Sequence, residues 1–214
     1  ETSMPAVGIE TSTPAAMIPF AGWNMPVRYT SDLAEHRAVR EAAGLFDLSH
    51  MGQIEVSGPG AAECLDRSLV GVFSTMAIGK AKYSLIADAE GRILDDLIVY
   101  RLEEEEYLVV ANGANRERVV DALTERSDPG RASVIDHTFS RAMIAIQGPK
   151  AAEILSQLTP ADLAELRYYS AARLEVDGVP VLVARTGYTG EDGFEIMTAA
   201  HAAMGLWDKL LEVG

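Results

Sequence analysis

The chain has 214 residues, 48% of them hydrophobic and 23% charged, which is room for one large domain or two small ones and too ordinary for disorder or a disulfide scaffold. Its 18 Lys and Arg stand against 32 Asp and Glu, a net charge of -14, which speaks against a nucleic-acid partner because that needs a basic footprint. Cys64 is the single cysteine, so an internal disulfide and a thiolate metal cluster are excluded, and no apolar run approaches a membrane span.

Taken in order, Glu1 to Pro14 lacks the basic start and apolar middle of a signal peptide. It predicts an irregular tail to about Ala16 and a cytoplasmic, reducing setting. Pro19 to Tyr29, PFAGWNMPVRY, mixes three breakers with three aromatics and reads as an ordered loop. Asp32 and Glu35 resemble a capping box, and Leu33, Val39 and Ala43 then repeat at near-helical spacing up to a stop at Gly44. Asp47, Ser49 and His50 tempt a hydrolase reading. Neighbouring Ser and His point apart in an extended chain, however, and triads are assembled from distant segments.

Gln53 to Ser57 predicts a strand, Gly58-Pro59-Gly60 a turn, and Ala61 to Leu69 a helix. The dinucleotide fingerprint this order invites fails, because its third glycine falls at Glu63. Tyr83 to Ala87 and Ile93 to Tyr100 predict two strands around the turn Asp88-Ala89-Glu90-Gly91. Asp95 and Asp96 sit within the second. Alternation puts Asp96 with Leu94, Ile98 and Tyr100, and Asp95 with Ile93, Leu97 and Val99. Both faces are otherwise apolar, so one carboxylate interrupts a surface that prefers to be dry. Such a group is either paired structurally or waits for a ligand, and pairing is the commoner outcome.

Tyr107 to Ala111 predicts a third strand ending at Asn112-Gly113, and Asn115 to Arg126 a helix with Val119, Val120 and Leu123 inward. Asp128-Pro129-Gly130 reads as a turn and a boundary. Strands follow at Val134 to His137 and Met143 to Gln147, then a helix from Gly148-Pro149 to about Leu158, and a short second helix capped by Thr159-Pro160. Asp177-Gly178 joins Arg173 to Val176 and Val179 to Ala184 in a hairpin. The glycine-punctuated Arg185 to Ile196 leads into a strand, and Ala200 to Leu211 predicts a closing helix. Short connections and an excess of strands favour an α+β fold with antiparallel sheets and packed helices. His36, His50, His137 and His201 are scattered without metal-ligand spacing, so no metal site is expected.

Five blocks carry more: PFAGWNMPVRY, AGLFDLSHMGQIEVSGP, KYSLIADAEGRILDDLIVYR, AIQGPKAAEIL and RTGYTGEDGFEI. In this order they resemble the aminomethyltransferase, or T-protein, family of the glycine cleavage system. The resemblance implies release of ammonia from an aminomethyl group on a lipoylated H-protein carrier, with tetrahydrofolate as co-substrate taking the one-carbon unit to give methylenetetrahydrofolate. By the same resemblance Asp96, second of the paired acids, is the catalytic residue. Met51, Tyr83 and Asn112 match folate contacts, and Tyr188 and Glu195 match the pterin end. It also implies two intertwined domains, 1–52 with 134–214 and an inserted 53–133. The family continues past the match to Gly214 with an arginine-bearing segment and a β-barrel domain. The resemblance therefore leads one to expect that these residues by themselves are weak or inactive. Two rival readings are the folate domain of a sarcosine or dimethylglycine dehydrogenase and a folate-binding module without transferase activity. The first carries a flavin domain ahead of this region, and the second leans on a cysteine-bearing loop.

Overall fold

In the computed structural model, residues 15–214 are described, and the tail expected before Ala15 lies outside them. The chain forms two units. One takes in the residues up to Ser49 with Ser140–Tyr168 and Ala172–Gly214, and the other is His50–Phe139 with Tyr169–Ala171.

The first unit opens with β1 (Ala16–Phe20) and β2 (Trp23–Arg28), a hairpin where the sequence predicts a loop. Ala21 and Gly22 both take positive φ, 49° and 83°, the type I′ turn that matches strand twist. Pro19 and Pro26 are tolerated because this sheet has only two strands and both are edges. Helix α1 (Asp32–Glu41) is capped one residue earlier than expected. The Ser31 hydroxyl accepts the Ala34 N–H, while Glu35 reaches back to the N–H groups of Tyr29 and Thr30. Gly44 does not stop the helix but starts β3 (Gly44–Asp47), a strand without a pattern long enough to announce it.

β3 joins β9 (Arg141–Gln147), β10 (Ala171–Val176), β11 (Val179–Ala184) and β12 (Gly193–Ala199) in a sheet of order β10-β11-β12-β9-β3. Asp177 and Gly178 turn β10 into β11 with φ of 49° and 74°. Helices α4 (Ala151–Ser156) and α5 (Ala203–Val213) contribute Ile154, Leu155, Leu206, Trp207 and Leu210 to a core shared with Ile144, Ile146, Val183, Phe194 and Ile196. The helix predicted after Thr159-Pro160 does not form. Thr159 and Asp162 side chains accept the N–H groups two residues on, and the carbonyls of Leu163 and Leu166 are taken by Arg185 rather than by a helical N–H.

The second unit is a five-stranded antiparallel sheet of order β5-β6-β7-β4-β8, made from β4 (Gly52–Ser57), β5 (Ala81–Ala87), β6 (Ile93–Glu103), β7 (Glu106–Ala111) and β8 (Ser133–Asp136). Helices α2 (Ala61–Ser68) and α3 (Arg116–Arg126) bury Ala61, Cys64, Leu65, Val119 and Leu123 with Ile54, Val56, Leu97, Val99 and Val109 of the sheet. β8 pairs with β4, and the unit runs to Phe139, a little beyond the 53–133 segment that the resemblance implies. The strand contacts of β8 fix its membership more strongly than the Asp128-Pro129-Gly130 turn before it.

Candidate active site

The register of the second sheet gathers four of the sequence-predicted residues. Asp96 stands opposite Leu85, Leu97 opposite Ala111, and Gly52 also opposite Ala111 from the far side. One step further along, Asn112 falls beside Asp96, and Met51 directly precedes Gly52. Tyr83, opposite Ile98, lies diagonal to Asp96 on the same face. Met51 is half-buried in the bend before β4, and Tyr83 is 52% exposed.

The two aspartates divide as alternation requires, but not as a dry catalytic acid would. Asp95 is the buried one, at 3% exposure, on the face with Leu97 and Val99 that meets the helices. Its Oδ2 accepts the Asn112 backbone N–H at 2.9 Å. Its Oδ1 accepts Asn112 Nδ2 at 3.0 Å and Asn115 Nδ2 at 2.7 Å. The cost of burying a carboxylate is thus offset by three charge-assisted bonds. Asp96 is exposed. Tyr83 Oη donates to its Oδ2 at 3.1 Å and Asn112 Nδ2 to its Oδ1 at 3.1 Å. The acid expected among apolar walls is therefore Asp95, while Asp96 faces outward with both oxygens engaged.

In the first unit the glycine-rich segment between β11 and β12 is fastened at two points. Arg185 grips Asp192 through Nε–Oδ1 at 2.9 Å and Nη2–Oδ2 at 2.6 Å. That hydrogen-bonded guanidinium holds the Asp192 carboxyl below its ordinary range, against a smaller opposing effect of burial. Gln147, 1% exposed at the end of β9, donates from Nε2 to Thr186 O at 3.0 Å and accepts Thr189 Oγ1 on Oε1 at 3.0 Å. Gly187 leaves room for this side chain, since a Cβ there would lie 2.0 Å from Gln147 Oε1 and push the amide aside. The Thr186 hydroxyl donates to Glu195 Oε2. Glu195 is 8% exposed on β12, between Ala145 of β9 and Ala184 of β11, and so is no surface strand residue. Tyr188 projects fully into solvent at 104% exposure, which rules out packing as its role within the described residues.

Asn115, Gln147 and Thr186 escaped sequence reasoning. Each is an ordinary polar residue whose part depends on a partner distant in the chain. Asp47 and Ser49 are turn-formers: Asp47 Oδ1 accepts the Ser49 N–H at 2.9 Å, and Ser49 Oγ accepts the Met143 N–H at 3.2 Å. Cys64 is buried, and burial raises its thiol pKa, so it is a core residue rather than a nucleophile. Among the described residues no group of His, Cys, Asp and Glu could hold a metal ion, and no helix is long and apolar enough to cross a membrane.

The chain is similar to an aminomethyltransferase of Streptomyces avermitilis, 54% identical over 206 residues that make up 96% of this chain and 55% of that protein. It is also similar to the crystal structure of glycine cleavage system aminomethyltransferase T from Bartonella henselae. That match has a TM-score of 0.85 and 38% identity, covering 92% of this chain and 53% of the other. The heterotetrameric sarcosine oxidase from Corynebacterium sp. U-96 shares the fold, with a TM-score of 0.63 at 21% identity over 85% of this chain and 89% of that one. The chain spans about half the length of the curated relatives it matches. Residues 9–214 match the family model described as the GCVT N-terminal domain, and the chain belongs to that family.

Proposed function

We propose that the protein is a tetrahydrofolate-dependent aminomethyltransferase of the glycine cleavage system, acting on an aminomethyl group carried by a lipoylated H-protein. The observation that carries this reading is the Asp96 carboxylate, exposed on a sheet face with one donor on each oxygen, in a chain 54% identical to a named aminomethyltransferase.

The residues suit a pterin-bearing ligand. Such a ring offers flat faces to phenols and an amino group beside ring N–H groups to a carboxylate. Glu195 and Tyr188 are assigned to the pterin, and Met51, Tyr83 and Asn112 to further folate contacts. When bound, tetrahydrofolate supplies the nitrogen that accepts the one-carbon unit.

Asp96 is assigned the electrostatic role. Its negative charge stabilises the positive charge that develops on the one-carbon unit as its bonds to the carrier sulfur and to the departing ammonia break, the sulfur leaving as the carrier thiol, and its bonds to the folate nitrogens form. Tyr83 and Asn112 hold the carboxylate in place beforehand, so it needs little reorganisation during the reaction. In open water a pair of unit charges 4 Å apart is worth only about 1 kcal/mol, against about 4 kcal/mol at an effective dielectric near 20. The exposed Asp96 thus becomes effective when substrates displace the water around it.

The test is ammonia release from aminomethyl-loaded carrier with tetrahydrofolate, using the intact protein. Asp96→Asn is expected to lower turnover by about 10²-fold or more while leaving the melting temperature unchanged. Wild-type turnover in that variant overturns the assignment.

A further inference from the structure

We propose that Asp95 is a positioning residue for the Asp96 carboxylate, acting through Asn112. The proposal rests on the catalytic reading of Asp96 given above. Asp95 faces the helices and is 3% exposed, so it does not share the open face on which Asp96 stands. What connects the two is one carboxamide.

Asn112 Nδ2 lies 3.0 Å from Asp95 Oδ1, 3.1 Å from Asp96 Oδ1 and 2.9 Å from Asp96 O. Two amide protons thus serve three acceptors, and the amide nitrogen is wedged between the neighbouring carboxylates. The torsion that orients an Asn amide is broad and roughly two-fold, so an untethered Asn112 would sample both orientations. Asp95 removes that freedom because it binds Asn112 at two places, the backbone N–H on Oδ2 and the side chain on Oδ1. Asp95 is itself held by Asn115 Nδ2 at 2.7 Å. Asn115 ends the 3-10 turn that runs into α3, whose Val119 and Leu123 are fully buried. The orientation of Asp96 is in this way referred to the apolar core of its unit.

The chemistry also explains why a carboxylate is needed at position 95. All three groups that reach it are N–H donors, and a carboxylate is acceptor-only. The isosteric Asp95→Asn replaces one acceptor oxygen with an amino group that must face a donor, so either the backbone or the side chain of Asn112 is released. A shift of this kind at the Asp96 carboxylate alters the chemical step more than it alters ligand binding.

The experiment is a double-mutant cycle in the intact protein between Asp95→Asn and Asn112→Ala, following kcat, KM for tetrahydrofolate and thermal unfolding. Asp95→Asn is expected to lower kcat about tenfold with KM changed less than about threefold. In the Asn112→Ala background it should lower kcat no further, although its effect on unfolding persists. Losses in kcat that multiply, or wild-type kcat in Asp95→Asn, overturn the proposal. Where Asp95→Asn fails to fold, Asn115→Ala takes its place in the cycle, since it loosens the same carboxylate without removing it. If the wild type shows no aminomethyl transfer, the functional reading fails on its own account. The clamp is then read from the Asn112 side-chain NH2 resonances, assigned by their loss in Asn112→Ala. A shift of these resonances in Asp95→Asn supports the positioning, and unchanged resonances overturn it.

Discussion

Tyr83 and Asp96 face each other diagonally across β5 and β6, with the phenol donating to Asp96 Oδ2 at 3.1 Å. Because Tyr83 is 52% exposed, the bond contributes little to folding and much to where the carboxylate points. Tyr83→Phe removes the donor and keeps the ring. Ammonia release is expected to fall about tenfold, with stability within about 0.5 kcal/mol of wild type. Full turnover by Tyr83→Phe would show that Asn112 alone suffices to hold Asp96.

Glu195 offers a sharper test of ligand recognition. Thr186 donates its hydroxyl to Oε2, so in Glu195→Gln the amide oxygen is drawn to Thr186 and the amide NH2 takes the other position. A pterin N–H would then meet a donor. Tetrahydrofolate affinity is expected to weaken by about 1–3 kcal/mol. Calorimetry that finds the affinity unchanged removes Glu195 from the folate contacts.

Much of this arrangement was legible in the sequence, but unevenly. Strand alternation separated Asp95 from Asp96 correctly, because period two depends only on the local backbone. It could not say which face is dry, since both faces of β6 carry apolar residues and burial is decided by the α2 and α3 helices on one side. The β1–β2 hairpin was hidden by Pro19 and Pro26, which break strands in general but not the edges of a two-stranded sheet. Asn112 was legible only by resemblance, and the Asn115 and Gln147 contacts not at all. Each joins segments that patterning treats separately: Asn115 reaches back to Asp95, and Gln147 reaches forward to Thr186 and Thr189.

The fit of Gln147 against Gly187 can be measured as a coupling. The three atoms nearest to a Cβ at position 187 would all belong to the Gln147 side chain, the closest being Oε1 at 2.0 Å. Gly187→Ala is therefore expected to destabilise by about 1–3 kcal/mol in the wild type. Gln147→Ala is expected to cost a similar amount through its lost buried hydrogen bonds. In the double variant the new methyl enters the space that Gln147 vacates, so the combined cost should fall clearly below the sum of the two. Additive losses in urea unfolding would mean that the strain of Gly187→Ala falls on atoms other than the Gln147 side chain.

The last prediction concerns acid. Asp192 is held below the ordinary carboxylate value of 3.8, chiefly by its hydrogen bond with Arg185, which also stacks over Phe194 at 5.4 Å from the ring centroid. A lowered value means that the folded state takes up this proton at lower pH than the unfolded chain does. The stabilisation is then fully present above the unfolded value and is lost as pH falls through the folded one. In Asp192→Asn the charge is absent at every pH. The stability difference between wild type and Asp192→Asn should hence stay level from pH 8 down to about 5 and shrink below about pH 4. Asp66 and Asp136 are also held low, but they are present in both proteins and cancel in the difference. Arg185 keeps its bonds to Leu163 O and Leu166 O in the variant, so the segment remains anchored and the comparison isolates the ion pair. Urea unfolding across this range reads it directly. A difference that stays constant through pH 3, or grows there, would show that the Arg185–Asp192 contact does not favour the charged carboxylate.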